Sequence, residues 1–163
     1  MGELVVVVGV DGSPASYTAL RWALGYAGGG GVRIRAVRCW MPVLARGWEA
    51  AVTGEPVPPE AEQQARAERE LGQVVAAALA RIPTGVTRVG VQQRVVRGPP
   101  GPGLVSRTAG VHLLVIGHGG HRSMLHRSVS SYCVRHATCP VLVIPPAMAT
   151  RRTLAPATAA VPA

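Results

Sequence analysis

Short runs of wholly apolar, largely β-branched residues alternate along this chain with stretches of helical periodicity, and that alternation restricts the fold more than any other feature. The first run, Leu4 to Val8, offers no polar residue to either side of its pleat, as a strand buried on both faces requires. It passes into turn chemistry written GVDGSP, Gly9 to Pro14, where Ser13 supplies an N-cap and Pro14 a first-turn proline. Ala19, Leu20, Ala23, Leu24 and Ala27 then share one helical face, and the glycines at 28–31 end the helix.

The pattern repeats. Val32 to Arg38 reads as a second strand whose Arg33 and Arg35 alternate with Ile34 and Ala36, so that one face is partly open to water. A proline-bearing aperiodic segment, Trp40 to Pro59, leads to a helix over Glu60 to Arg81 with Leu71, Val74, Val75, Ala78 and Leu79 on one side. Val86 to Val96 forms a third strand, the PPGPG run opens a short helix expected at Leu104 to Ala109, and HLLVIG ends a fourth strand at Gly117. Val129, Tyr132, Cys133 and His136 mark a last helix face, and Pro140 to Ile144 is a fifth strand.

Strands separated by helices imply right-handed crossovers, and the reading is an α/β fold: a five-stranded parallel doubly wound sheet of order 3-2-1-4-5 flanked by four helices. Residues 1–146 make one domain, and 147–163, rich in Ala, Pro and Thr, read as a disordered tail. Ligands of such sheets sit beyond the carboxyl ends of the strands where the winding reverses. That point lies between the first and fourth strands, with the Asp11 loop and the Gly117 loop as its lips.

Charge narrows the function. The net charge is +9, from 17 basic and 8 acidic residues, and every basic residue other than histidine is arginine. Without lysine there is neither a P-loop lysine nor a Schiff base. A basic surface favours anions, but few aromatics, no phenylalanine and scattered arginines argue against nucleic acid. The apolar runs are too short to span a bilayer, and the first residues carry no basic leader, so a cytoplasmic, non-exported chain without membrane contact is expected. Cys39, Cys133 and Cys139 include no CxxC pair and read as structural thiols. His118, His121 and His126 share a loop without helical spacing or a neighbouring cysteine or carboxylate, which argues against a metal site.

VVVVGVDGSPAS near the start, VVRG at 95–98, and LLVIGHGG followed by RSVSSYCVRHATCPVLVI resemble the universal stress protein family, in its order and near its spacing, over nearly all of residues 2–146. The resemblance implies an adenine nucleotide, ATP with magnesium or AMP, in a regulatory rather than catalytic role. It assigns Asp11 to the ribose hydroxyls, the main chain of Val37 to the base, and Gly98 to a close approach of ribose or phosphate. Gly117 and Gly120 would form the phosphate loop, closing at Arg127 and Ser128, with Val129 beginning the helix behind it.

Here the chain departs from the family. The connection from Gly120 to the closing pair is three residues short, about 10 Å of chain, and Arg127 stands where the family has glycine. Arg122 and Arg127 offer charge to phosphates in place of bare backbone. The alternative is a member that has lost ATP and acts as a dimeric interaction module. In either case the apolar strand Val141 to Ile144 is expected at the sheet edge, pairing with its copy in a homodimer. Phosphoanhydride hydrolysis finds no positioned general base.

Overall fold

The computed structural model describes residues 4–42, 57–82, 89–118 and 128–145. Five strands and four helices alternate among them: β1 (Leu4–Gly9), α1 (Pro14–Ala27), β2 (Val32–Trp40), α2 (Glu60–Leu79), β3 (Val91–Arg97), α3 (Pro100–Val105), β4 (Leu113–Gly117), α4 (Val129–His136) and β5 (Val141–Ile144). All strand pairs are parallel, and the order is β3-β2-β1-β4-β5, as the alternation of elements predicts.

Strand period divides the core in two. Val6 and Val8 of β1 point to the side where α1 lays down Ala19, Leu20, Ala23 and Leu24 and α2 lays down Leu71, Val75 and Ala78. Val7 points the other way, to Leu104 of α3, Cys133 of α4, and Val37, Leu114 and Ile116 of the sheet. A valine run serves both faces, which is why β1 lacks polar alternation. The half-open face expected for β2 is also present, with Arg33 exposed and Arg35 half-buried and bonded to Gln92 at 3.0 Å.

The layering places the winding reversal. α1 and α2 cover one face and α3 and α4 the other, so the chain leaves β1 toward one side and leaves β4 toward the opposite side. These two strands are hydrogen-bonded neighbours, with Val8 opposite Val115. Their carboxyl ends therefore mark the place where sheets wound in this way bind ligands.

Two expectations shift at their boundaries. The short helix occupies Pro100–Val105, not Leu104–Ala109, because Pro100 suits a first turn and the two glycines admit close neighbours: a Cβ on Gly101 would meet the Tyr132 ring at 2.8 Å, and one on Gly103 would meet Cys39 Sγ at 2.7 Å. The third strand is seen from Val91; residues 83–88 and the tail at 147–163 lie outside the described residues. Among the described residues no helix is long and apolar enough to cross a membrane.

Candidate functional site

β1 ends at Gly9, and the next five residues make a tightly bonded turn. Val10 donates to the Val37 carbonyl at 2.8 Å, the last rung toward β2. Asp11 Oδ1 then accepts from the Ser13 amide at 2.9 Å, Ser13 Oγ accepts from the Ser16 amide at 3.2 Å as the α1 N-cap, and buried Ser16 Oγ accepts from the Asp11 amide at 3.3 Å. Gly12 closes the turn at φ +87°, a conformation that favours glycine. So the Asp11 carboxylate is held in the turn by the Ser13 amide. Partial burial pushes the carboxyl up, but hydrogen bonding from Ser13 and Ser16 outweighs it and leaves the pKa below the ordinary carboxylate value.

Gly117 meets this turn directly. A Cβ there would lie 2.4 Å from the carbonyl carbon of Ala15 and 2.7 Å from the Ser16 amide nitrogen. The end of β4 thus abuts the first turn of α1, and the two lips of the crevice touch. Beyond it, His118 donates to the Ile144 carbonyl at 2.8 Å and ties the strand end to β5.

The other expected residues lie at the ends of β2 and β3 and at the start of α4. Val37 has its carbonyl taken by Val10, and its side chain is fully buried. Alternate residues of a parallel strand turn their main-chain groups to opposite neighbours; Trp40 gives its carbonyl to Gly98 on the β3 side, at 2.8 Å. Cys39 therefore faces the β1 side as Val37 does, but two residues past the last rung, and its main chain is the part of β2 that borders the crevice. Its thiol is no nucleophile, because burial, reinforced by Cys133 and offset in part by Arg107, pushes its pKa up to about 11. Gly98 adopts φ +134°, which explains a glycine there by backbone conformation.

Ser128 precedes α4, and its carbonyl accepts from Tyr132 at 3.0 Å while its hydroxyl pairs with Ser130 at 2.5 Å. Among the described residues no side chain caps the helix, whose first-turn amides, beginning with Val129, point out at the positive end of the helix dipole. Arg135 and His136 in the last turn balance the opposite end. Tyr132 fixes this helix against α3 through its contact with Gly101. Gly120, Arg127, Arg122, His121 and His126 lie outside the described residues.

One charged group at the crevice escaped the sequence reading. Arg38 projects from β2 on the α1 and α2 side, where Nη2 pairs with Glu70 Oε2 of α2. Glu70 also receives Arg66 Nε at 2.8 Å, and this hydrogen bond above all, against some opposition from burial and with the charges of both arginines adding, holds its pKa below the ordinary value. Arg38 Nη1 is buried and has no hydrogen-bond partner among the described residues, and it lies 3.4 Å from where a Cβ of Gly12 would stand. Only the pairing of Arg38 with a carboxylate on a helix 32 residues away reveals it, and no local spacing carries that signal.

Comparison with known proteins agrees with this architecture. The model of the universal stress protein family matches residues 5–145. A universal stress protein of Mycolicibacterium smegmatis is 34% identical over 149 residues, covering 88% of this chain and 46% of its own length. One from Mycobacterium tuberculosis is 35% identical over 154 residues, with 88% and 48% covered. The chain spans about half the length of these relatives. Among solved structures, a universal stress protein in complex with cAMP superposes with a TM-score of 0.58 at 24% identity, over 89% of this chain and 98% of that one. An Arabidopsis thaliana family protein with AMP bound gives 0.53 at 17%, over 87% and 90%.

Proposed function

The chain belongs to the universal stress protein family, and on that premise we propose that it binds an adenine nucleotide, ATP with magnesium or AMP, between the carboxyl ends of β1 and β4. The observation that carries the reading is the Asp11 turn: an exposed carboxylate held by the Ser13 amide at the point where the winding reverses, with the end of β4 pressed against the same turn. A carboxylate so held suits ribose hydroxyls. The base lies along the main chain of Cys39, which takes the part expected of Val37, with Gly98 at the far rim. Gly117, Ser128 and Val129 face the phosphates, with the amides at the start of α4 as donors; Gly120 and Arg127 belong to the same loop by sequence. Relatives crystallised with cAMP and AMP support the ligand class.

The role is regulatory, with occupancy changing conformation or partners, and the setting is the cytoplasm. Isothermal titration with ATP and magnesium tests the reading. Heat saturating at sub-millimolar nucleotide is expected; a folded protein that evolves none overturns it.

The alternative of a dimeric interaction module rests on the short connection before Ser128, and tightly held ATP or AMP in protein purified without added nucleotide ends it. Both readings share the homodimer. β5 is an edge strand whose Val141, Leu142 and Val143 are only half-buried, and antiparallel pairing with its copy would satisfy its open side. Val143→Lys is expected to turn a dimer mass in light scattering at tens of micromolar into a monomer mass with the same circular dichroism. A monomeric wild type refutes the pairing.

A further inference from the structure

We propose that the open edge of β3 is a docking site for an extended polypeptide segment in which acidic residues alternate with aliphatic ones, added to the sheet as a further strand. β3 is the last strand on its side of the sheet, at the edge away from β5. The Gly90 carbonyl accepts from Ile34 at 3.2 Å and Gly98 donates to the Trp40 carbonyl at 2.8 Å, so the even-numbered positions turn their main chain toward β2. Gln93, Val95 and Arg97 turn theirs outward, and no strand meets them among the described residues. Gln93 and Arg94 are exposed, which leaves this edge open to a ligand.

The two faces beside that edge differ in chemistry, and the difference sets the occupant. Arg94 is level with Val37, and Arg35 with Val7, so both arginines lie on the face of the sheet that α3 and α4 share. Arg35 is steadied there by Gln92 at 3.0 Å. The described carboxylates are Asp11, in its turn, and Glu60, Glu62, Glu68 and Glu70, all on α2 across the sheet. The arginine face therefore holds positive charge that no described carboxylate on that side neutralises, and it favours an acidic partner.

On the α2 side the same edge borders a hollow of about 290 Å³ lined by Gln64, Glu68, Leu71, Gln93, Arg94 and Val95. Leu71 is buried and Val95 packs against the core, so part of this lining is apolar. A strand laid along β3 sends alternate side chains to the two faces. Carboxylates then meet Arg94, aliphatic groups cover the hollow, and the main chain pairs with the outward amides and carbonyls of β3. A second copy of β3 is a poor occupant, because it would bring another set of arginines to the same face.

Fluorescence anisotropy of a labelled octapeptide of alternating Glu and Val, titrated with the full chain, tests the docking. Saturable binding below about 1 mM is expected. Arg94→Glu is expected to weaken it about 10-fold or more, since it sets like charges together at an exposed position that the core does not use. Two further peptides, N-methylated on every Glu or on every Val, separate strand addition from charge alone. One of them is expected to lose binding and the other to keep it, because only alternate amides of an added strand face β3. No saturation by the octapeptide, full affinity in the Arg94→Glu variant, equal behaviour of the two methylated peptides, or an octathymidylate bound as tightly as the peptide overturns the inference.

Discussion

Gly117→Ala is expected to lower the thermal midpoint by about 6–12 °C, the largest loss of stability from a single added methyl at any glycine among the described residues. The added carbon would sit 2.4 Å from the Ala15 carbonyl carbon and 2.6 Å from its oxygen. Both are backbone, on the first turn of a helix whose buried face is locked into the core, so neither side can yield as a flexible side chain would. A cost of about 3 kcal/mol, at the upper end for overpacking, follows. Gly25→Ala is the matched control: that glycine lies within α1 with nothing inside 4 Å of the added carbon. There the methyl restricts only the unfolded chain and stabilises by about 0.5–1 kcal/mol. Differential scanning calorimetry on the pair checks the claim, and equal midpoints would show that β4 and α1 do not meet as described.

Asp11→Asn is expected to weaken nucleotide binding by about 100-fold while leaving the midpoint close to that of the wild type. The amide oxygen still accepts from the Ser13 amide and keeps the turn, but the two charge-assisted bonds to ribose are lost. Asp11→Ala loses the turn bond as well and adds about 1 kcal/mol of destabilisation. Undiminished affinity in the asparagine variant would remove ribose from this carboxylate. Acidity gives a second check. Because the folded pKa is lowered, the stabilisation is complete above the unfolded value and disappears as pH falls through the folded one. Affinity should therefore stay flat through neutral and mildly acidic pH and decline only below the ordinary carboxylate range.

The central strands and helix faces were legible because burial on both sides of a strand leaves no choice of residue, and Val6 to Val8 and Leu114 to Ile116 carry that demand openly. The winding reversal follows from the order alone. α3 was harder. Propensity counts Pro and Gly against a helix, yet Gly101 and Gly103 are admitted by Tyr132 and Cys39, contacts that only the folded molecule brings together. That Val10 takes the Val37 carbonyl was not legible either, since Val10 continues the apolar run and hides where the β1 ladder stops. Arg38 lay beyond reach for the same reason, its partner being supplied by another element.

Because α1 and α4 depart to opposite faces, the divergence of the chain after β1 and β4 is set before any loop residue is chosen. Evolution can trim or extend the segment between Gly117 and Ser128 without rebuilding the scaffold. Descendants of such a chain are thus free to vary that segment while inheriting the same layered frame.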